Sequence, residues 1–155
     1  AEKRSEVAIL DGMFLGTRKE LWQKMPFDEV LLKGFHGYDV DFSLSMQQLG
    51  KVVVVYDILL AHSSSGGNTM NWIENQLKIV KKWRKILPLQ MPTSTKKELK
   101  ARENADLNDF ILSLFKFDYR FGFLFKYAIL TMLKSPFQRL NLHIVKKLTL
   151  KLINA

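Results

Sequence analysis

The sequence predicts an α/β fold, with a mixed sheet of few strands and flanking helices, followed by a mostly helical C-terminal region. Three observations carry that reading. Lys51-Val52-Val53-Val54-Val55-Tyr56 is a continuous β-branched run, the pattern of a central strand buried on both faces. Short apolar segments flank it, and Gly, Pro, Ser or Thr residues open or close them. From Asn68 onward the pattern changes to long helical segments.

At 155 residues the chain fits one domain of ordinary size, or a smaller globular unit with an appendage. The spacing places the boundary between residues 1–88 and a basic amphipathic extension over 89–155. A hydrophobic content of 47% supplies a core, and 12% aromatic content argues against disorder. Cysteine is absent, which excludes a disulfide framework, a thiolate metal site and a cysteine nucleophile. That absence is neutral on compartment and fits a reducing cytoplasm. Ala1–Glu6 is charged with no apolar stretch behind it, so no signal peptide is predicted, and no run of about 18 apolar residues predicts a transmembrane helix.

The net charge of +9 is unevenly spread. Residues 1–66 carry 7 Lys/Arg and 9 Asp/Glu, whereas residues 67–155 carry 17 and 6. The second half therefore reads as one that meets something anionic, nucleic acid or an anionic membrane surface, with a solvated basic helix face as the plain alternative. No RNP-like, helix-turn-helix or zinc pattern accompanies the charge, which argues against nucleic acid.

In chain order, Val7-Ala8-Ile9-Leu10 and Met13–Thr17 predict a strand across Val7–Thr17, interrupted at Asp11-Gly12 by a bulge or an Asp-Gly turn. Thr17 with Glu20 reads as a capping box for a helix over 18–24 that Pro26 stops. Phe27-Asp28-Glu29 opens an irregular connection anchored by Leu31 and Leu32. The stretch Gly34-Phe35-His36-Gly37-Tyr38-Asp39-Val40-Asp41-Phe42-Ser43-Leu44 then feeds a helix, with Val40, Leu44 and Leu49 at helical spacing and Gly50 as its C-cap. Asp39 and Asp41, two residues apart, point in different directions. One can face a cleft as a general base while the other caps or braces the turn.

After the valine run, Ile58–Ala61 predicts a second short strand. The loop His62-Ser63-Ser64-Ser65-Gly66-Gly67 has a composition suited to a phosphate or metal, or is flexible with an incidental histidine. An amphipathic helix follows to Leu87, with Trp72, Leu77, Val80, Trp83 (or Ile79) and Leu87 as its apolar stripe and Lys78, Lys81, Lys82, Arg84 and Lys85 opposite. Pro88 and Pro92 bound a linker. The next helix, about Thr93–Phe117, takes Ser94 or Thr95 as its cap with Glu98 in the first turn. Beyond Asp118, aromatic and aliphatic residues interleave with Arg and Lys up to Ile153. These segments resemble helices that lie in a membrane interface, or they pack on another part of the protein.

The ordered set Asp11-Gly12-Met13-Phe14-Leu15, Arg18-Lys19-Glu20, Phe27-Asp28-Glu29, Gly37–Leu44 and His62 resembles the C-terminal half of family 2 glycosyltransferases of GT-A fold, in their bacterial glycosyltransferase-like branch. It covers residues 7–87. The resemblance implies a partial GT-A-like sheet and transfer of a sugar, with inversion, from a nucleotide-sugar donor to a glycan or glycolipid acceptor at the cell surface. In such enzymes the acidic loop reads Glu-Asp-X-Asp, so Tyr38 stands where the Glu would be. Asp39 takes the place of the catalytic base, and Asp41 that of the following acceptor-side or bracing Asp. Asp11 and Gly12 line the acceptor side. His62 matches the histidine that holds the metal or the diphosphate, and the expected cofactor is a divalent metal (Mg or Mn). The implied setting is the cytoplasm, with peripheral association at the inner face of the membrane. Family members bind the donor with an N-terminal half ending in Asp-X-Asp. The chain is therefore expected to be a fragment, inactive alone, prone to form a homo-oligomer through uncovered apolar surface.

Overall fold

Helix α2 (Tyr38–Gln47) is the element on which the N-terminal part of the molecule is packed. The structure, a computed structural model, describes residues 3–63, 69–91, 94–117, 120–134, 146 and 153. They form, in order, β1 (Arg4–Glu6), α1 (Lys19–Lys24), α2, β2 (Val53–Val55), α3 (Met70–Trp83), α4 (Lys96–Lys116) and α5 (Phe121–Lys134). The chain divides into two compact units, Ala1–Ser94 and Thr95–Ala155.

Gly37 starts α2 because the chain turns there with φ at +90°, a left-handed conformation that glycine adopts without steric penalty. Its hydrogen is also required by space, since a β-carbon would lie 2.7 Å from Ile79 Cδ1 on α3. Asp41 through Met46 are all buried, so α2 has no solvent stripe and is clad on opposite sides. On one side Phe42 and Met46 join Val52 and gather Val7, Leu10, Leu15, Leu21 and Met25. On the other, Leu44 meets Leu32 and Ile79, covered by Val40, Trp83 and Ile86. Leu44, 1% exposed, is the most enclosed aliphatic side chain of α2, and its truncation to Ala would cost about 2–5 kcal/mol.

The segment expected as a strand over Val7–Thr17 is not one. The ladder covers only Arg4–Glu6, antiparallel to Val53–Val55, and the chain then runs irregularly along α2. The reason is visible in its hydrogen bonds. Gln47 Nε2 donates to the Val7 carbonyl (2.7 Å), Ser43 Oγ accepts the Leu10 N–H (3.0 Å), and Asp39 Oδ2 accepts the Gly12 N–H (3.2 Å). Residues 39, 43 and 47 recur every fourth position on one helix face, so a helix edge replaces the neighbouring strand. The Thr17 capping box is likewise absent. Arg18 is the N-cap of α1 with no side-chain bond, and Thr17 Oγ1 is turned toward Met46 Sδ.

The valine run is shorter and more open than its composition predicts. Among the described residues β2 pairs with β1 alone, and Val55 is 41% exposed. Ile58–Ala61 forms no strand, and Leu59 is 92% exposed. The sheet described is thus two antiparallel strands within a mixed, mostly helical α/β structure. Helix α2 ends at Gln47 with Gln48, not Gly50, at its C-cap, and Leu49 lies exposed. Thr69 is the N-cap of helix α3, its hydroxyl accepting the Trp72 N–H. Its enclosed face carries Ile73, Asn75 and Ile79, whereas Val80 points outward.

In the second unit, Thr95 and Glu98 make the predicted start of α4. Thr95 Oγ1 accepts the Glu98 N–H (3.2 Å), and Glu98 Oε2 accepts the Thr95 N–H (2.8 Å). Both bonds from Thr95 hold the Glu98 carboxyl below its ordinary range. Helix α4 packs on α5 through Ile111 and Leu114 on one helix and Leu124 and Ala128 on the other, with Phe110 edge-on to Tyr127 at 5.5 Å. No helix among the described residues is long and apolar enough to cross a membrane. Residues 64–68 of the His62 loop, Pro92, Thr93, Asp118 and most of the basic segment beyond residue 134 lie outside the described residues.

Candidate active site

Two carboxylates in the first turn of α2 face opposite ways, as their spacing requires: two residues on a helix are about 200° apart. Asp39 faces the 10–12 segment and is half-buried, within reach of solvent. Each of its oxygens takes one backbone donor, Oδ1 from Val40 (2.9 Å) and Oδ2 from Gly12 (3.2 Å). A carboxylate has room for about four such bonds, so both oxygens keep a free lone pair. Its position at the helix start also places its charge among unpaired N–H groups.

Tyr38 closes the frame from above. Its hydroxyl donates to the Gly12 carbonyl (3.0 Å), and its ring stands edge-on to Phe27 and Phe35 at 6.1 and 6.2 Å. Gly12 thus gives its N–H to Asp39 and receives the Tyr38 proton on its carbonyl. Burial, then the nearby charges of Asp39 and Asp11, push the Tyr38 phenol above its ordinary value of 10.0, so it stays a donor through the physiological range. Asp11 is exposed and steadies its own turn, Oδ1 accepting the Met13 N–H at 2.9 Å. The structure therefore brings together Asp11, Gly12, Tyr38 and Asp39 from segments 27 residues apart.

Asp41 belongs to the other side. It is 2% exposed, and its oxygens are taken by Trp83 Nε1 (2.7 Å) and Lys82 Nζ (2.9 Å) from the end of α3. Lys82 also reaches Asp28 Oδ2 at 2.9 Å, while Asp28 Oδ1 accepts the Leu31 N–H. One ammonium thus compensates two carboxylates and ties three segments together. Its hydrogen bond holds the Asp28 carboxyl below its ordinary range, with the Leu31 N–H adding to the effect. Burial pulls the Lys82 ammonium down, but its bonds to Asp28 and Asp41 and their charges outweigh that and leave it raised.

Asn75 adds a second tie. Buried in α3, it donates from Nδ2 to the carbonyls of Lys33 (3.1 Å) and His36 (2.8 Å), fixing the loop that enters α2. Sequence reasoning missed Asn75, Lys82 and Trp83. Only the indole gave a signal, because a buried Trp N–H needs an acceptor and Asp41 is one.

His62 is exposed. Among the described residues no three His, Cys, Asp or Glu side chains gather where they could hold a metal ion. An open groove of about 340 Å³ between α1 and α2 is lined by Leu15, Arg18, Leu21, Met46 and Lys51, and also by Leu10 and Ser43; Asp39 does not line it.

The arrangement offers an oriented, solvent-reachable carboxylate beside a small backbone loop, which can hold a hydroxyl and take its proton. The glycosyltransferase-like family matches this sequence over residues 1–87, more than half of the chain. The chain belongs to that family. No curated protein and no solved structure matches it.

Proposed function

We propose, with membership of the glycosyltransferase-like family as the premise, that this chain carries the acceptor side and the catalytic base of an inverting glycosyltransferase. The donor is a nucleotide-sugar and the acceptor a hydroxyl of a glycan or glycolipid. One observation supports the assignment above the others: Asp39 is held from both oxygens by backbone N–H groups yet remains reachable from solvent.

The acceptor hydroxyl lies against Asp39, with Asp11 and Gly12 lining its approach. As the hydroxyl oxygen attacks the anomeric carbon, its proton passes to Asp39, the bond to the diphosphate breaks, and the nucleoside diphosphate leaves with the electron pair. A single displacement inverts the anomeric centre and needs no second, nucleophilic carboxylate. Asp41 serves as the brace: with both oxygens engaged by Lys82 and Trp83 it holds the first turn of α2, and through it Asp39, in place. The reading gives β1 and β2 a place at the margin of a larger GT-A-type mixed sheet whose nucleotide-binding part is not among the described residues. A divalent metal (Mg or Mn) belongs to the same proposal. His62 would offer it one ligand, the described residues do not complete a site for it, and no step is routed through it.

The test is Asp39→Asn in the intact protein. Asparagine keeps the size and one carbonyl acceptor but cannot take the proton. Transfer should be lost while binding of the sugar nucleotide persists. Undiminished turnover would sink the assignment of the base.

A further inference from the structure

The solvent side of α5 has the wrong character for a helix that faces water. Leu124 and Ala128, both 0% exposed, mark the face turned to α4. The opposite arc carries Phe125 (50% exposed), Ile129, Leu130 and Leu133 (75% exposed), with Lys126 as its one described charge. An exposed helix face normally carries charged and polar side chains. A helix apolar all round is one whose outer face is covered or dissolved in something other than water.

The charge of the sequence in this part of the chain says what that is. Residues 119–155 hold seven Lys or Arg and no Asp or Glu. Seven like charges oppose the stacking of two copies face to face and favour an anionic surface. A phosphate backbone would match the charge but offers no apolar layer to Phe125, Ile129 and Leu133. An anionic lipid surface offers both. Among the described residues the helix spans 14 residues, or about 21 Å, and none of the described helices is long and apolar enough to cross a membrane, which fits a helix lying in the interface. We infer that the outer face of α5 docks on an anionic membrane surface, with Phe125, Ile129 and Leu133 entering the acyl boundary and the Lys126 ammonium reaching the headgroups. The inference concerns the second unit and stands whether or not Asp39 is a base.

The test is co-sedimentation of the whole chain with phosphatidylcholine vesicles, with and without phosphatidylglycerol. Binding is expected to the anionic vesicles and to weaken as salt rises. Replacing Phe125 and Leu133 together by Ser should lower the vesicle affinity by at least about tenfold. Both side chains lie on the exposed face, so an unchanged circular dichroism spectrum and melting temperature would show the fold intact. Lys126→Glu provides a second, independent variant and should weaken anionic-vesicle binding by about fivefold. Failure of the chain to pellet with anionic vesicles would overturn the inference. So would full binding by both variants, tighter binding to duplex DNA than to vesicles, or a dimer in light scattering that the Ser pair dissolves.

Discussion

The two faces of α2 use the same residue type for opposite purposes. Toward the 10–12 segment, Asp39 is held only by two backbone N–H groups and keeps access to water. Toward α3, Asp41 is closed in by an ammonium and an indole, both charge-assisted and short. Removing the ammonium would leave a carboxylate 2% exposed without its charge partner, a heavier penalty than any single loss on the Asp39 side. The difference teaches that a carboxylate's role follows from what its oxygens are left to do. One face spends its carboxylate on holding the helix, and the other leaves one available for chemistry.

Asp39→Asn tests the open face most severely. It should lower transfer by about 10²–10⁴-fold with a melting temperature close to that of the parent; a large drop in melting temperature would make Asp39 a structural residue as Asp41 is. Lys82→Met tests the closed face. It strips the shared cation from Asp28 and Asp41 and should destabilise the fold by about 3 kcal/mol, the low end for a broken buried pair because Lys82 keeps some contact with water. Urea unfolding measures it, and a parent-like midpoint would remove the contrast.

Gly37→Ala probes the hinge that both faces share. A left-handed φ together with the contact on Ile79 predicts a loss of about 1–3 kcal/mol in the same assay. Tyr38→Phe deletes the hydroxyl that grips the Gly12 carbonyl and should cost about 1 kcal/mol, with a raised KM for acceptor as the segment loosens. Unchanged acceptor KM would separate Tyr38 from the site.

The smallest effect is in the pH dependence. The depressed Asp28 carboxyl contributes stability that is present above the ordinary carboxylate range and lost as pH falls through its lowered value. The raised Lys82 contributes stability present below 10.5 and lost as pH rises through its folded value. Melting temperature should therefore be flat between those limits and fall at either end. In Asp28→Asn the acid fall should be shallower by less than about 1 kcal/mol, since the Asp28–Lys82 pair is partly solvated.

What could be read from the sequence was local. Thr95 with Glu98, the turn at Gly37, the anchoring Leu32 and the helical spans follow from residues within one or two turns of each other. The opposed directions of Asp39 and Asp41 also follow from spacing alone. The Lys82 brace did not, because its partners lie 41 and 54 residues away and it stands in a run of cations that reads as a solvated face. The Val7–Thr17 strand failed for a related reason. An apolar alternation records that one side of a segment is buried, not which element supplies its hydrogen bonds. Here Asp39, Ser43 and Gln47 supply them. Val53–Val55 shows the converse, a composition suited to a sheet interior at the margin of a two-stranded ribbon.

Gly12 and Tyr38 occupy what is in effect one volume. A β-carbon on residue 12 would overlap the Tyr38 hydroxyl and come within 2.7 Å of Cζ. The two positions are therefore coupled in space: a side chain gained at 12 has either to push the hydroxyl end of Tyr38 aside, at the cost of its bond to the Gly12 carbonyl, or to be met by a shorter residue at 38. Either change made alone would open or jam the seam beside Asp39. Made together, Gly12→Ala with Tyr38→Ser should restore a fold that Gly12→Ala alone disturbs.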